Sequence, residues 1–111
     1  MPPDRDAETI ADMIAACRRV GRLIEGFDRN QFLGDERTQG AVIHQVLLLG
    51  EATKRLSVEL QTAHAEIPWA LIARTRDLLI HHYEIVDLHE VWKIAADDIP
   101  RLLTQLESVA R

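Results

Sequence analysis

The chain has one cysteine, Cys17, in 111 residues. A disulfide framework and a cysteine-based zinc site are therefore both excluded. Aromatic residues make up only 5%. None interleaves with the basic residues, so the stacking platforms that grip single-stranded nucleic acid are not supported. Glycine and proline are scarce, at five and four, while Ala, Leu, Ile, Arg and Glu dominate. That balance favours helix throughout. No apolar run approaches the ~18 residues of a membrane span, and Val46 to Leu49 reads as a helix interior. There is no basic excess either: 18 acids face 13 bases, for a formal charge of −5. A general nucleic-acid binder usually carries the opposite sign, so DNA is not an expected partner. A local basic cleft remains compatible with RNA chemistry, because local potential steers a substrate. The opening Met1-Pro2-Pro3-Asp4-Arg5-Asp6 has no apolar h-region, and a cytoplasmic location is expected.

What is present suits one soluble globular domain over residues 1–111, with 47% hydrophobic and 28% charged residues. The periodicity predicts four main helices. The first spans about Ala7 to Phe27, with Ile10, Met13, Cys17, Val20, Ile24 and Phe27 on one stripe and Asp6 or Thr9 as cap. Gly21 inside it marks either close approach of another backbone or a tolerated glycine. The second helix follows Asp35 as N-cap and runs to Leu60 or His64. Its stripe is Val42, Val46, Leu49, Ala52, Leu56 and Leu60. Ile43, Leu47 and Gly50 widen its apolar surface, so more than one neighbour is expected, a second subunit among them.

The third helix opens at Pro68 and ends between His81 and Tyr83. Trp69, Ile72, Leu79 and Leu78 are its expected core contacts. The fourth starts at Asp87, with Glu90 completing a capping-box pattern. It carries Leu88, Val91, Ala95, Ile99, Leu102, Leu106 and Val109. Pro100 predicts a kink or restart, with Asp97 or Asp98 capping the second piece. Trp69 and Trp92 read as core or interface residues. The fold class expected is an all-α antiparallel bundle.

One stretch carries chemistry: Arg76-Asp77-Leu78-Leu79-Ile80-His81-His82-Tyr83. Cleavage of RNA by its own 2′-OH needs an acid or base near neutrality and a fixed cation for the phosphorane-like transition state. Histidine serves the first need and arginine the second. At about 100° per residue, Arg76 and His81 lie about 140° apart, and His81 and Tyr83 diverge. Convergence therefore requires the helix to end near His81 or a second subunit to contribute. The bland alternatives are a His-His pair favouring a helix C-terminus and a surface ion pair at Arg76 and Asp77.

The Arg76-x4-His81-x-Tyr83 spacing resembles the active-site signature of the HEPN ribonucleases. Pro68-Trp69, Val86-Asp87, Val91-Trp92 and Ile99-Pro100 resemble the C-terminal half of the HepT-like branch. Leu49-Gly50-Glu51-Ala52 and Leu56-Ser57 resemble its second helix. The likeness spans about Asp6 to Leu106, and His82 departs from the small residue common in relatives. It implies a dimeric or higher even-numbered helical bundle and the toxin of a type VII-like toxin–antitoxin system. Its partner would be an MntA-like nucleotidyltransferase antitoxin. It implies Arg76 and His81 as catalytic residues, Asp77 in support, and Tyr83 as the acceptor of a silencing AMP.

Among the remaining residues, Arg18, Arg22, Lys54, Arg55 and Arg74 are expected RNA contacts, though such residues are most often solvated faces. Glu51 either reaches the cleft or, by the preferred reading, pairs with Arg55 one turn on. His44, His64 and His89 form no i,i+4 pair with another His or Cys, so no metal set and no cofactor are expected. A rival reading is a non-catalytic helical adaptor that binds a nucleotidyltransferase and presents Tyr83. A more remote one is a nucleotide-binding bundle.

Overall fold

The structure is a computed structural model that describes residues 3–81 and 85–111. It is an all-α bundle, with no strand among the described residues. Helix α1 spans Pro3–Leu23. Ile10, Met13, Cys17 and Val20 are buried as a stripe, while Ile24 and Phe27 pack on the core from the turn beyond. The helix stops short of Phe27 because Gly26, at φ +79, takes the chain into a conformation other residues resist. Neither Asp6 nor Thr9 caps it. The Asp6 carboxylate instead accepts hydrogen bonds from the Ser57 backbone at 3.0 Å and from the Ser57 hydroxyl. Thr9 donates back to the Arg5 carbonyl at 3.0 Å.

A short helix, α2 (Arg29–Leu33), was not expected, because five residues are too few to display a period. Asp28 and Gln31 form a reciprocal capping box at its start. Its Phe32 is fully buried, with its ring 5.4 Å from that of Trp92. Gln39 is also buried, and its amide donates to the Phe32 and Leu33 carbonyls at 2.9 and 3.0 Å.

Helix α3 (Glu36–Arg55) is capped by Asp35, which accepts from the Thr38 N–H at 3.1 Å. It is the central helix and packs against both α1 and α5, which explains its wide apolar surface. It does not continue to Leu60 or His64. The backbone turns extended at Leu56, and Ser57 caps a separate α4 (Val58–Ala63) by accepting from the Leu60 N–H at 3.1 Å. The bond from Ser57 to Asp6 secures the break, and that partner is remote in sequence.

Helix α5 (Trp69–His81) follows Pro68 directly. Trp69 and Leu79 are buried as expected, and the Trp69 indole donates to the His64 carbonyl at 3.0 Å. Leu78 is a correction: it is 49% exposed, because the packed side of α5 is the one bearing Ile72 and Leu79.

The last helical stretch begins with α6 (Leu88–Lys93), capped by Asp87 through the His89 and Glu90 N–H groups. A π-helical turn follows at Ile94–Asp98, then α7 (Ile99–Ala110). The interruption ahead of Pro100 thus takes the form of a widened turn, in which the Ile99 N–H donates five residues back to Ile94. Asp97 and Asp98 do not cap α7. The backbone stays helical through this stretch, so no free helix start exists for them to satisfy.

These elements share one core. Cys17 lies inside it, 1% exposed, and burial pushes its thiol from an ordinary 9.0 up to about 12. A raised thiol pKa contributes stability below about pH 9 that is lost as pH climbs toward 12. Cys17 is therefore expected to resist a thiol-specific disulfide reagent at pH 8 in the native protein and to react fully in denaturant. Rapid labelling under native conditions would contradict its burial.

Candidate active site

The site is assembled where α5 crosses α3. Gly50 on α3 makes the crossing close. A Cβ at this position would lie 2.1 Å from Arg76 Cβ, 2.8 Å from Arg76 Cγ and 3.2 Å from the Ile72 carbonyl oxygen. Only a glycine leaves room for the Arg76 stem to run across α3. Gly21, by contrast, has nothing within 4 Å of its missing Cβ and is a tolerated helix glycine.

The guanidinium of Arg76 is held from two sides. Its Nη2 is 3.1 Å from Glu51 Oε2, and its Nη1 is 3.1 Å from Asp77 Oδ1. Asp77 Oδ1 also accepts from Lys54 Nζ at 2.7 Å. Two acids and two bases thus alternate across the α3–α5 seam, with zero net charge. Arg76 is the most covered member, at 26% side-chain exposure, while the other three are 41–48% exposed. Lys54 first, and Arg76 second, hold the Asp77 carboxyl below its usual 3.8. A depressed carboxyl pKa stabilises the fold above about 3.8, and that contribution is lost as pH falls through the lowered value.

The preferred reading of Glu51 is corrected here. It reaches across to Arg76 rather than along its own helix to Arg55. No local pattern distinguishes the two, since an i,i+4 partner and a partner on another helix leave the same trace in sequence. Asp77 accepts a hydrogen bond from Arg76 Nη1.

His81 is the last residue of α5 and is exposed. Because α5 stays helical from Arg76 to His81, the two side chains leave the axis about 140° apart. Tyr83, with the neighbouring His82, lies outside the described residues.

The expected RNA contacts are not all gathered here. Lys54 joins Arg76 through Asp77. Arg18 pairs with Glu107 of α7 at 2.9 Å, and Arg22 follows one turn along the same face of α1. Arg55 borders a shallow depression with Asp12 and Arg19, between α1 and α3. Arg74 is exposed and points about 160° away from Arg76 around α5. A pocket of about 360 Å³ beside α5 has a floor that includes Val46, Leu49, Ile72 and Leu102, but neither Arg76, Asp77 nor His81 lines it. Among the described residues no cluster of His, Cys, Asp and Glu could hold a metal, and no helix is long and apolar enough to cross a membrane.

A family model described as "Ribonuclease HepT-like" matches residues 13–109. The chain belongs to the HepT-like ribonuclease family. It is 42% identical over 93 residues to a Thermococcus cleftensis protein named "Probable ribonuclease HepT", covering 80% of this chain and 84% of that one. A Methanocaldococcus jannaschii protein named "Putative RNase MJ0127" is 34% identical over 82 residues, covering 74% and 68% of the two chains. Another from that organism, named "Gamma-glutamylcyclotransferase and putative RNase MJ0434", is 35% identical over 88 residues. That match covers 76% of this chain and 40% of the other. No solved structure matches the chain.

Proposed function

We propose that this HepT-like protein is a metal-independent endoribonuclease and the toxin of a type VII-like toxin–antitoxin pair. The observation that carries the reading is an intact Arg76-x4-His81-x-Tyr83 signature in a chain of this family, with Arg76 seated in an ion-pair network. In the proposed reaction the ribose 2′-oxygen attacks the adjacent phosphorus and the bond to O5′ breaks. The 2′ proton goes to a base, and O5′ receives a proton from an acid. The products are a 2′,3′-cyclic phosphate and a 5′-OH. Arg76 stabilises the added charge on the phosphoryl oxygens, and His81 performs one of the two proton transfers.

The divergence of Arg76 and His81 argues for a homodimer or a higher even oligomer. Leu71 and Leu78 are exposed on one line of α5, about 60° round from His81. A two-fold pairing of motif helices along that line covers apolar surface and sets the two His81 side chains near the seam, while Arg76, about 160° round from Leu78, stays on the α3 side of its own helix. An MntA-like nucleotidyltransferase then silences the enzyme by AMP transfer to Tyr83. Added negative charge and bulk on the motif tyrosine repel RNA phosphates.

The test uses protein expressed with and without that partner. Intact mass locates the AMP, and cleavage in excess chelator, with end-group analysis, tests the chemistry. Cyclic-phosphate ends from the unmodified form alone are expected. No cleavage by either form would move the assignment to a non-catalytic adaptor.

A further inference from the structure

We infer that Glu51 and Lys54, on α3, are positioning residues for Arg76, acting from either end of the chain Glu51–Arg76–Asp77–Lys54. The inference rests on the ribonuclease reading above for its consequence, and on the geometry alone for its arrangement.

An arginine side chain has many rotamers, and a guanidinium that must meet a transition state loses rate when it wanders. Arg76 is restrained at three points. Its Cβ and Cγ lie against the bare backbone at Gly50. Its Nη2 meets Glu51 and its Nη1 meets Asp77, each at 3.1 Å. The two carboxylates come from different helices, so the guanidinium plane is set by the α3–α5 packing rather than by α5 alone. With one N–H donated to Asp77, the guanidinium keeps donors for a phosphate.

Asp77 cannot do its part unaided. Adjacent residues on a helix do not face each other, so its carboxylate must bend sideways to reach Nη1. Lys54 meets the same oxygen at 2.7 Å and anchors it. Lys54 also completes the charge balance. Without it, two carboxylates against one guanidinium would leave a net negative patch where an RNA phosphate must dock.

The opposing possibility is that Glu51 merely competes with RNA for Arg76. The two accounts predict opposite signs. If Glu51 positions Arg76, Glu51→Ala lowers kcat by about tenfold to hundredfold, the scale of a misplaced catalytic group. KM stays level or falls, because an acid has been removed. Glu51→Gln retains most of kcat, since its amide oxygen still lies against Nη2. Lys54→Met lowers kcat and raises KM, as Asp77 loses its anchor and the patch turns negative. A rise in kcat/KM in both Glu51 variants, or an unchanged kcat in Glu51→Ala, overturns the proposal.

A second readout needs no activity. Nitrogen-15 NMR of the arginine side chains should show slow guanidinium rotation for Arg76 in the unmodified protein, and fast rotation in Glu51→Ala with an unchanged thermal midpoint. Fast rotation in the parent protein overturns the positioning role. Slow rotation without any RNA cleavage would instead sustain the arrangement and retire the ribonuclease reading.

Discussion

Arg76→Ala is expected to lower RNA cleavage by at least about 10²–10³-fold, the loss typical of one transition-state donor. Arg76 is also the most covered charge in its cluster, so no neighbour can swing in to replace it. Lys54, the other cation of the cluster, is fastened to Asp77. Arg76→Lys should recover little, because an ammonium has no planar fork with which to span a phosphate and two carboxylates. His81→Ala should cost about 10²–10⁴-fold through the lost proton transfer. The fold should survive both changes. Glu51 and Asp77 are about half exposed and can be rehydrated, and His81 is exposed at a helix end. Cleavage of a short RNA by circular-dichroism-checked variants would decide the matter. Full activity in Arg76→Ala would remove the catalytic assignment.

Gly50→Ala is expected to destabilise the protein by about 1–3 kcal/mol or more, the range for overpacking a filled interior. The direction is diagnostic. An alanine in a helix interior is ordinarily better than glycine by roughly 0.5–1 kcal/mol, and Gly21→Ala should show that gain, because nothing stands within 4 Å. At Gly50 the new methyl would meet Arg76 Cβ at 2.1 Å, an atom with no rotamer by which to retreat, and the Ile72 carbonyl at 3.2 Å. Helix α5 must then move off α3. At about 4–8 °C per kcal/mol for a small domain, the melting temperature should fall by several degrees or more. Cleavage should fall beyond the loss of folded protein, since the same displacement parts Arg76 from Glu51. A Gly50→Ala variant as stable as its parent would refute the close crossing.

The main helices were legible because each buries a stripe with a 3.6-residue period. Val42, Val46 and Leu49 announce α3 as clearly as Leu102 and Leu106 announce α7. The two short helices were not. Neither α2 nor α4 is long enough to repeat a period, and α4 is separated from α3 by a bond between Ser57 and Asp6. Pro100 signalled an interruption, yet its π-helical form depended on the core accepting a widened turn.

For the site, the order of residues along one helix was enough to place Arg76, Asp77 and His81 together on α5 and to show that Arg76 and His81 diverge. That follows from covalent geometry, which is local. The tertiary structure alone decided that Glu51 turns to Arg76 rather than Arg55, that Lys54 holds Asp77, and that Gly50 is the bare surface beneath them. Those facts depend on how closely and at what register α5 lies across α3. That register is set by burial summed over both helices, and no single residue's neighbours along the chain encode it.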